Sequence, residues 1–196
     1  MSVRTKHVSE IVAAIQTLVS DLDRPPLVAV TGFGGAGKST LAARLCDDLP
    51  DAAVVPGDEF MRTRPPVGRS DDWADLDRDR LLRQVVEPGQ TGAPVRYQVY
   101  DPEHQAPGPW LSVDGAGVII VEGLALLHPD LADRYDLTVW VDVDLDIATE
   151  QGMWRDRHVF GNPQVELWEE VWKPNDAGFH HRYRPDLVAD LLFTPR

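Results

Sequence analysis

The sequence predicts an α/β fold, a mostly parallel sheet with helices on both faces. Two observations predict it. Short apolar runs rich in β-formers alternate along the chain with stretches of helical period, as they do when strands are buried on both faces. A glycine-rich loop also stands directly between the first of these runs and a helix. The 196 residues suit a single domain, 1–196, carrying insertions. With 43% hydrophobic and 26% charged residues the chain can bury a sizeable core, which excludes collagen-like, mucin-like or wholly disordered organisation.

The elements follow in order. Val8, Ile11, Val12, Ile15, Leu18, Val19 and Leu22 recur at i, i+3, i+4 and i+7 and form one apolar helix face, ended by Pro25-Pro26. Leu27-Val28-Ala29-Val30 reads as a buried strand. Leu41, Leu45 and Leu49 continue at helical spacing until Pro50, and residues 52–55 read as a second strand. The section from Phe60 to Trp110 is rich in Pro, Arg, Asp and Gly. Within it, residues 76–86 read as a helix stopped by Pro88-Gly89, and a hairpin is expected around Gly92-Ala93-Pro94. Gly117-Val118-Ile119-Ile120-Val121 carries the strongest strand signal, residues 137–141 follow as another, and Leu191-Leu192-Phe193 as a short last one. From Glu150 to Asp176 the chain is polar and studded with aromatics, with little clear period. The middle section and this stretch read as insertions above the C-terminal edge of the strands, where ligands bind in such sheets.

Charge and cysteine content narrow the function classes. A net charge of −13 repels nucleic acid and anionic membranes at long range, so neither is expected as a partner, whereas a small phosphorylated metabolite needs only a few local donors. No apolar run approaches a membrane span, and the N-terminus lacks the apolar core of a signal peptide. The single cysteine, Cys46, fits a reducing, cytoplasmic setting.

The chemistry resides in Gly32-Phe33-Gly34-Gly35-Ala36-Gly37-Lys38-Ser39-Thr40, which matches G-x-x-x-x-G-K-[ST] with a strand before it and a helix after it. Glycines permit positive φ and let successive N–H groups curl round an anion. The helix that starts here turns its positive end to the same place. Gly32, Gly34, Gly35, Ala36, Gly37, Lys38, Ser39 and Thr40 are therefore expected to hold a nucleotide, with Lys38 on the β- and γ-phosphates and Ser39 on Mg²⁺. The predicted fold is accordingly the P-loop NTPase fold. Lys38 is expected to be accessible in the free protein.

Other residues must select the reaction. Asp58 lies just past the strand 52–55, placed to accept a hydroxyl proton and to sit near the metal; a turn aspartate capping the next helix is the plain alternative. Glu122 ends the strand 118–121 and is placed to hold Mg²⁺ or its water, or else is a solvated strand end. Arg155 and Arg157 could close over the phosphates, or else belong to a solvated charged face. The histidines show no metal-ligand spacing.

These blocks together resemble the uridine kinase-like group of P-loop kinases, which includes phosphoribulokinase and bacterial pantothenate kinase. Gly57-Asp58-Glu59-Phe60 resembles that group's Asp-x-Phe element, whose Asp is the catalytic base. Asp71-Asp72-Trp73 with Asp77–Leu82 resembles the acidic block whose Asp holds ribose hydroxyls. Residues 94–101 resemble the Tyr-Asp substrate element. Val121-Glu122-Gly123, Trp154-Arg155-Asp156 and residues 185–190 resemble its Glu-Gly, lid Arg-Asp and Ala-Asp elements. The blocks keep the family's order over about residues 27–193. The sequence departs at His104, four residues past Tyr100 rather than five, at Gln151 where the lid carries an arginine, and at Met61.

The resemblance implies an ATP- and Mg²⁺-dependent kinase of a small hydroxylated metabolite, with a substrate-binding insertion at about 60–110 and a helical lid at about 150–176. It implies a nucleoside acceptor gripped by Asp72, Tyr100, Asp101 and His104, with Asp58, Lys38 and Arg155 catalytic and Ser39, Asp58 and Glu122 at the metal. A non-nucleoside acceptor such as pantothenate or a sugar phosphate, or a nucleotide-binding regulator, stands as the alternative, and assembly into a homo-oligomer stays open.

Overall fold

The computed structural model describes residues 2–195. Six strands form one sheet: β1 (Val3–Thr5), β2 (Leu27–Gly32), β3 (Ala52–Pro56), β6 (Val118–Gly123), β7 (Leu137–Val141) and β8 (Leu191–Phe193). Their order is β1-β8-β7-β2-β6-β3, and every pairing is parallel. This is the P-loop NTPase fold that the sequence predicts. All six residues of β2 are buried. Its alternation divides the core, since Leu27 and Ala29 pack with Val55, Ile119 and Val121 while Val28 and Val30 pack with Ile11, Leu45 and Ile120. One side chain of each pair thus faces each layer, as a strand's two-residue period requires. The second layer includes the helices α1 (Val8–Asp21) and α2 (Lys38–Asp48).

The edge strand β1 is an addition to the predicted set. Val-Arg-Thr carries no apolar run, and two of its three residues are exposed.

The helix of the middle section departs from expectation. It begins as α3 (Arg78–Leu81), passes through a π turn at Leu82–Val86 and continues as α4 (Glu87–Thr91) to Gly92, whose φ of 70° closes it. It therefore runs through Pro88 instead of stopping there. A second π turn, Trp168–Trp172, joins α6 (Val165–Leu167) to α7 (Lys173–Tyr183) ahead of Pro174. Each π turn lies just ahead of its proline, with the Glu87 N–H on the Leu82 carbonyl and the Lys173 N–H on the Trp168 carbonyl, both i→i+5.

The predicted hairpin also moves. Gly92–Pro94 only links α4 to β4 (Val95–Asp101), and the antiparallel turn to β5 (Ala106–Val113) falls at residues 102–105.

Residues 150–176, which show no period in the sequence, are largely helical. Asp144 caps α5 (Leu145–His158), its carboxylate accepting the N–H groups of Asp146 and Ile147. The buried face of α5 includes Ala148, Gly152 and Asp156, at i, i+4 and i+8. Small and acidic residues on a buried face leave no apolar stripe to read. The short α8 (Pro185–Val188) leads into β8. No helix among the described residues is long and apolar enough to cross a membrane.

Candidate active site

Parallel register brings the site together. Glu122 of β6 is aligned with Val30 of β2 on one side and Pro56 of β3 on the other. The phosphate loop after β2, Glu122 and Asp58 just past β3 therefore share one sheet edge. Close approach of β3 and β6 needs two glycines. A Cβ on Gly57 would lie 3.0 Å from the Glu122 carbonyl oxygen, and one on Gly123 would lie 3.0 Å from the Gly57 Cα.

Gly35 is equally constrained. Its φ is +81°, and a Cβ there would come within 2.0 Å of the Ala148 carbonyl oxygen on α5. The helix that follows Asp144 thus lies directly on the phosphate loop.

Lys38 is buried, against the expectation of accessibility. It is 8% exposed, and its Nζ donates to the Phe33 carbonyl at 2.8 Å. Burial depresses its pKa, while the charges of Glu122, Asp176 and Asp58 oppose that shift. The Ser39 hydroxyl donates to Glu122 Oε2 at 3.2 Å. Burial raises the pKa of Glu122 and Lys38 pulls it back down.

These groups open on a cavity of about 290 Å³ lined by Gly34, Gly35, Lys38, Ser39, Asp58, Glu122 and Arg155. Met61, Pro65, Pro66 and Trp73 of the middle section, with Trp172, make a mainly apolar wall that Arg64 also borders. Across the loop lies a second cavity, of about 870 Å³, bordered by Ala36, Gly37, Thr40, Arg44 and Gln151.

The other predicted site residues separate. Arg155 borders the first cavity but is already paired with Asp156 at 2.8 Å. Gly32 borders neither cavity, and a Cβ there would lie 3.0 Å from the Val141 carbonyl oxygen. Arg157 is exposed and lines neither cavity.

None of Asp72, Tyr100, Asp101 and His104 lines the Asp58 cavity, so the predicted grouping of these four with Asp58 does not form. Each has a local reason. Asp72 accepts from Ser70 Oγ and pairs with Arg78, and both hold its carboxyl below the ordinary range, the hydroxyl more strongly. Asp101 and His104 pair with each other at 2.8 Å at the hairpin turn. The Tyr100 ring is buried, and its backbone N–H donates to Glu59 at 2.6 Å.

In their place the structure brings in residues that spacing did not single out as ligands. Trp168 donates its indole N–H to Asp156 at 2.8 Å and lies 3.0 Å from where a Gly34 Cβ would stand. Asp176, 4% exposed, accepts the Gly34 N–H at 2.7 Å and the Trp73 indole N–H at 3.0 Å. The one signal in the sequence is the polar pair Asn175-Asp176 on a helix face that also buries Phe179.

Comparison with known proteins identifies the family. The profile of the Phosphoribulokinase / Uridine kinase family matches residues 70–176. A uridine kinase of Streptococcus pyogenes is 29% identical over 183 residues, covering 87% of this chain and 88% of that one. The uridine kinase of Saccharomyces cerevisiae is 26% identical over 173 residues; the match takes in 79% of this chain and only 34% of the longer yeast protein. In fold, a Silicibacter protein assigned as a fructose transport system kinase superposes with a TM-score of 0.70 at 23% identity, over 93% of this chain and 98% of that one. With more than half of its length matched by the family profile and its phosphate loop in place between β2 and α2, the chain belongs to the phosphoribulokinase and uridine kinase family and is a P-loop kinase.

Proposed function

We propose that the protein transfers the γ-phosphate of ATP, with Mg²⁺, to a hydroxyl of a small metabolite, and that a nucleoside of the uridine type is the acceptor. One observation carries the reading: Asp58, Lys38, Ser39 and Glu122 line a single cavity with a wall supplied by residues 61–73. A switch protein needs no such wall. On this reading the segment 60–110 supplies the acceptor side and residues 150–176 the lid.

The donor set fits the metal. A serine hydroxyl and a carboxylate in contact are hard oxygen ligands of the kind Mg²⁺ takes. Among the described residues no three His, Cys, Asp or Glu side chains could hold an ion by themselves. Such poverty suits an ion that keeps its waters and shares substrate phosphates. Ser39 and Glu122 would hold it, and when bound it supplies positive charge against the phosphate oxygens.

Asp58 accepts the acceptor's hydroxyl proton. Lys38 and the loop N–H groups stabilise the charge of the transferring phosphoryl group. Arg155 reaches it by exchanging Asp156 for phosphate oxygens, and the helical cover excludes water.

A specific observation favours a second acceptor class. Asp72, the carboxylate suited to a ribose diol, is held by Ser70 and Arg78 away from the cavity, and the wall itself is mainly apolar. A non-nucleoside alcohol such as pantothenate meets that wall without a diol grip. The test is ATP consumption over nucleosides, pantothenate and sugar phosphates. Turnover that depends on uridine or cytidine supports the first acceptor, turnover with pantothenate alone supports the second, and turnover with none refutes both.

A further inference from the structure

Helix α7 is joined to the segment 66–73 along most of its first two turns. Asn175, 1% exposed, accepts the Ser70 N–H at 2.8 Å and donates to the Gly68 carbonyl at 2.8 Å. Just before α7, Trp172 donates its indole N–H to the Pro66 carbonyl at 2.7 Å. Gly178 lies so close to Asp71 that a Cβ would meet the Asp71 Cα at 3.0 Å. These contacts fix the acceptor side to the helix. His180 of α7 packs its ring on Phe33 of the phosphate loop, but it is Asp176 that hydrogen-bonds to both sides, with one oxygen on Trp73 of that wall and the other on Gly34 of the loop. The two walls come from segments far apart in sequence and have no covalent reason to stand at one spacing.

A carboxylate is an expensive choice for holding helices together, because burying its charge opposes folding and a neutral or apolar group packs as well. It has one property those groups lack: two oxygens that both accept, so it can bridge two N–H donors at once. We propose that Asp176 is a positioning residue, which sets the distance between the acceptor wall at Trp73 and the phosphate loop at Gly34 and thereby the distance between hydroxyl and transferring phosphate. The inference rests on reading the cavity as the transfer site. In-line transfer is sensitive to such spacing, since displacements near 1 Å already lower rates about a hundredfold.

The test compares Asp176→Asn, Trp73→Phe and the double variant with the unaltered protein, using uridine as the acceptor probe. The quantity read is the ratio of uridine phosphorylation to ATP hydrolysis in water. Each single variant should lower that ratio tenfold or more, and the double variant should fall no further, because both remove the same bridge. Asn175→Ala breaks bonds between the same helix and the same wall but none to the phosphate loop. It should lower the melting temperature and leave the ratio within about twofold. Parallel loss of transfer and hydrolysis in the Asp176 and Trp73 variants would overturn the proposal, as would multiplicative effects in the double variant or an Asn175 variant that behaves like them. Should the unaltered protein phosphorylate no uridine, the nucleoside reading fails separately. The bridge is then read by NMR, where Trp73→Phe must shift the Gly34 amide and speed its exchange, and an unmoved Gly34 amide refutes it.

Discussion

Replacing Asp176 by Asn should make the protein's stability less sensitive to pH, with a sign fixed by the structure. Burial lifts the Asp176 carboxyl from the ordinary 3.8 to about 6, against the opposing pull of the Gly34 N–H, Lys38 and the Trp73 indole. A carboxyl with a raised folded-state pKa binds its proton more tightly folded than unfolded. The stability it contributes is complete below about pH 4, declines as pH rises towards 6 and levels off above about 7. At about 1.4 kcal/mol per pH unit, the whole window amounts to about 3 kcal/mol, of which about 2 falls between pH 4.5 and 8. Asparagine has no proton to lose, so that decline disappears. It also cannot accept from both N–H groups, which lowers stability by a roughly constant 1 kcal/mol or so at every pH. Urea unfolding of both proteins at half-unit steps between pH 4.5 and 8 measures the difference, in which the other titrating groups cancel. The variant should gain on the unaltered protein by about 2 kcal/mol across the range. Parallel curves, or a gain toward acid, would refute the reasoning.

Three further outcomes follow from the same geometry. Lys38→Met should reduce phosphoryl transfer by about 10²-fold or more, measured by coupled ADP release, since it removes the lysine that lines the Asp58 cavity at the phosphate loop. Asp58→Asn should lower kcat by about 10²–10⁴-fold while calorimetry finds ATP binding retained; lost ATP affinity with normal kcat would assign Asp58 to the metal or the fold. Gly152→Ala places a methyl 2.3 Å from the Trp168 ring, so thermal unfolding should report a loss of about 1–3 kcal/mol, and an unchanged midpoint would mean that α5 and Trp168 do not pack as described.

The sheet was legible because its strands carry the signal that burial on both faces imposes. In β2, alternate residues serve two different core layers, so every position is apolar or small and the run stands out. The phosphate loop was legible for a related reason, since anion binding by backbone N–H groups restricts the residues that can stand there. What escaped reading lies where neighbouring segments decide the conformation. Pro88 marks a stop in any isolated helix, yet here the helix passes it directly after a π turn that no local residue announces. Helix α5 hides its period because its buried face meets backbone and an indole, and so carries Ala148, Gly152 and Asp156 where a core helix carries leucine. Asp72 resembles a ribose ligand by its place in the chain, but its orientation depends on Ser70 and Arg78. Asp176 could not be found by spacing at all, because its partners are 142 and 103 residues away.

The charges of the cavity, taken together, bear on how the proposed reaction must be organised. Lys38, Arg64 and Arg155 border one small volume with Asp58, Glu122, Asp156 and Asp176. Arg155 is already paired with Asp156 and Arg64 with Glu59, which leaves the buried Lys38 to answer the three remaining carboxylates. A nucleoside triphosphate adds several more negative charges to this deficit. On the proposed function its affinity would rest on positive charge that arrives with it, and on Arg155 exchanging Asp156 for the phosphates. That exchange frees Asp156, whose other oxygen holds the Trp168 indole over the phosphate loop. On the proposed function, nucleotide binding would thus be coupled to the packing of Trp168 through the one carboxylate that holds both Arg155 and the indole.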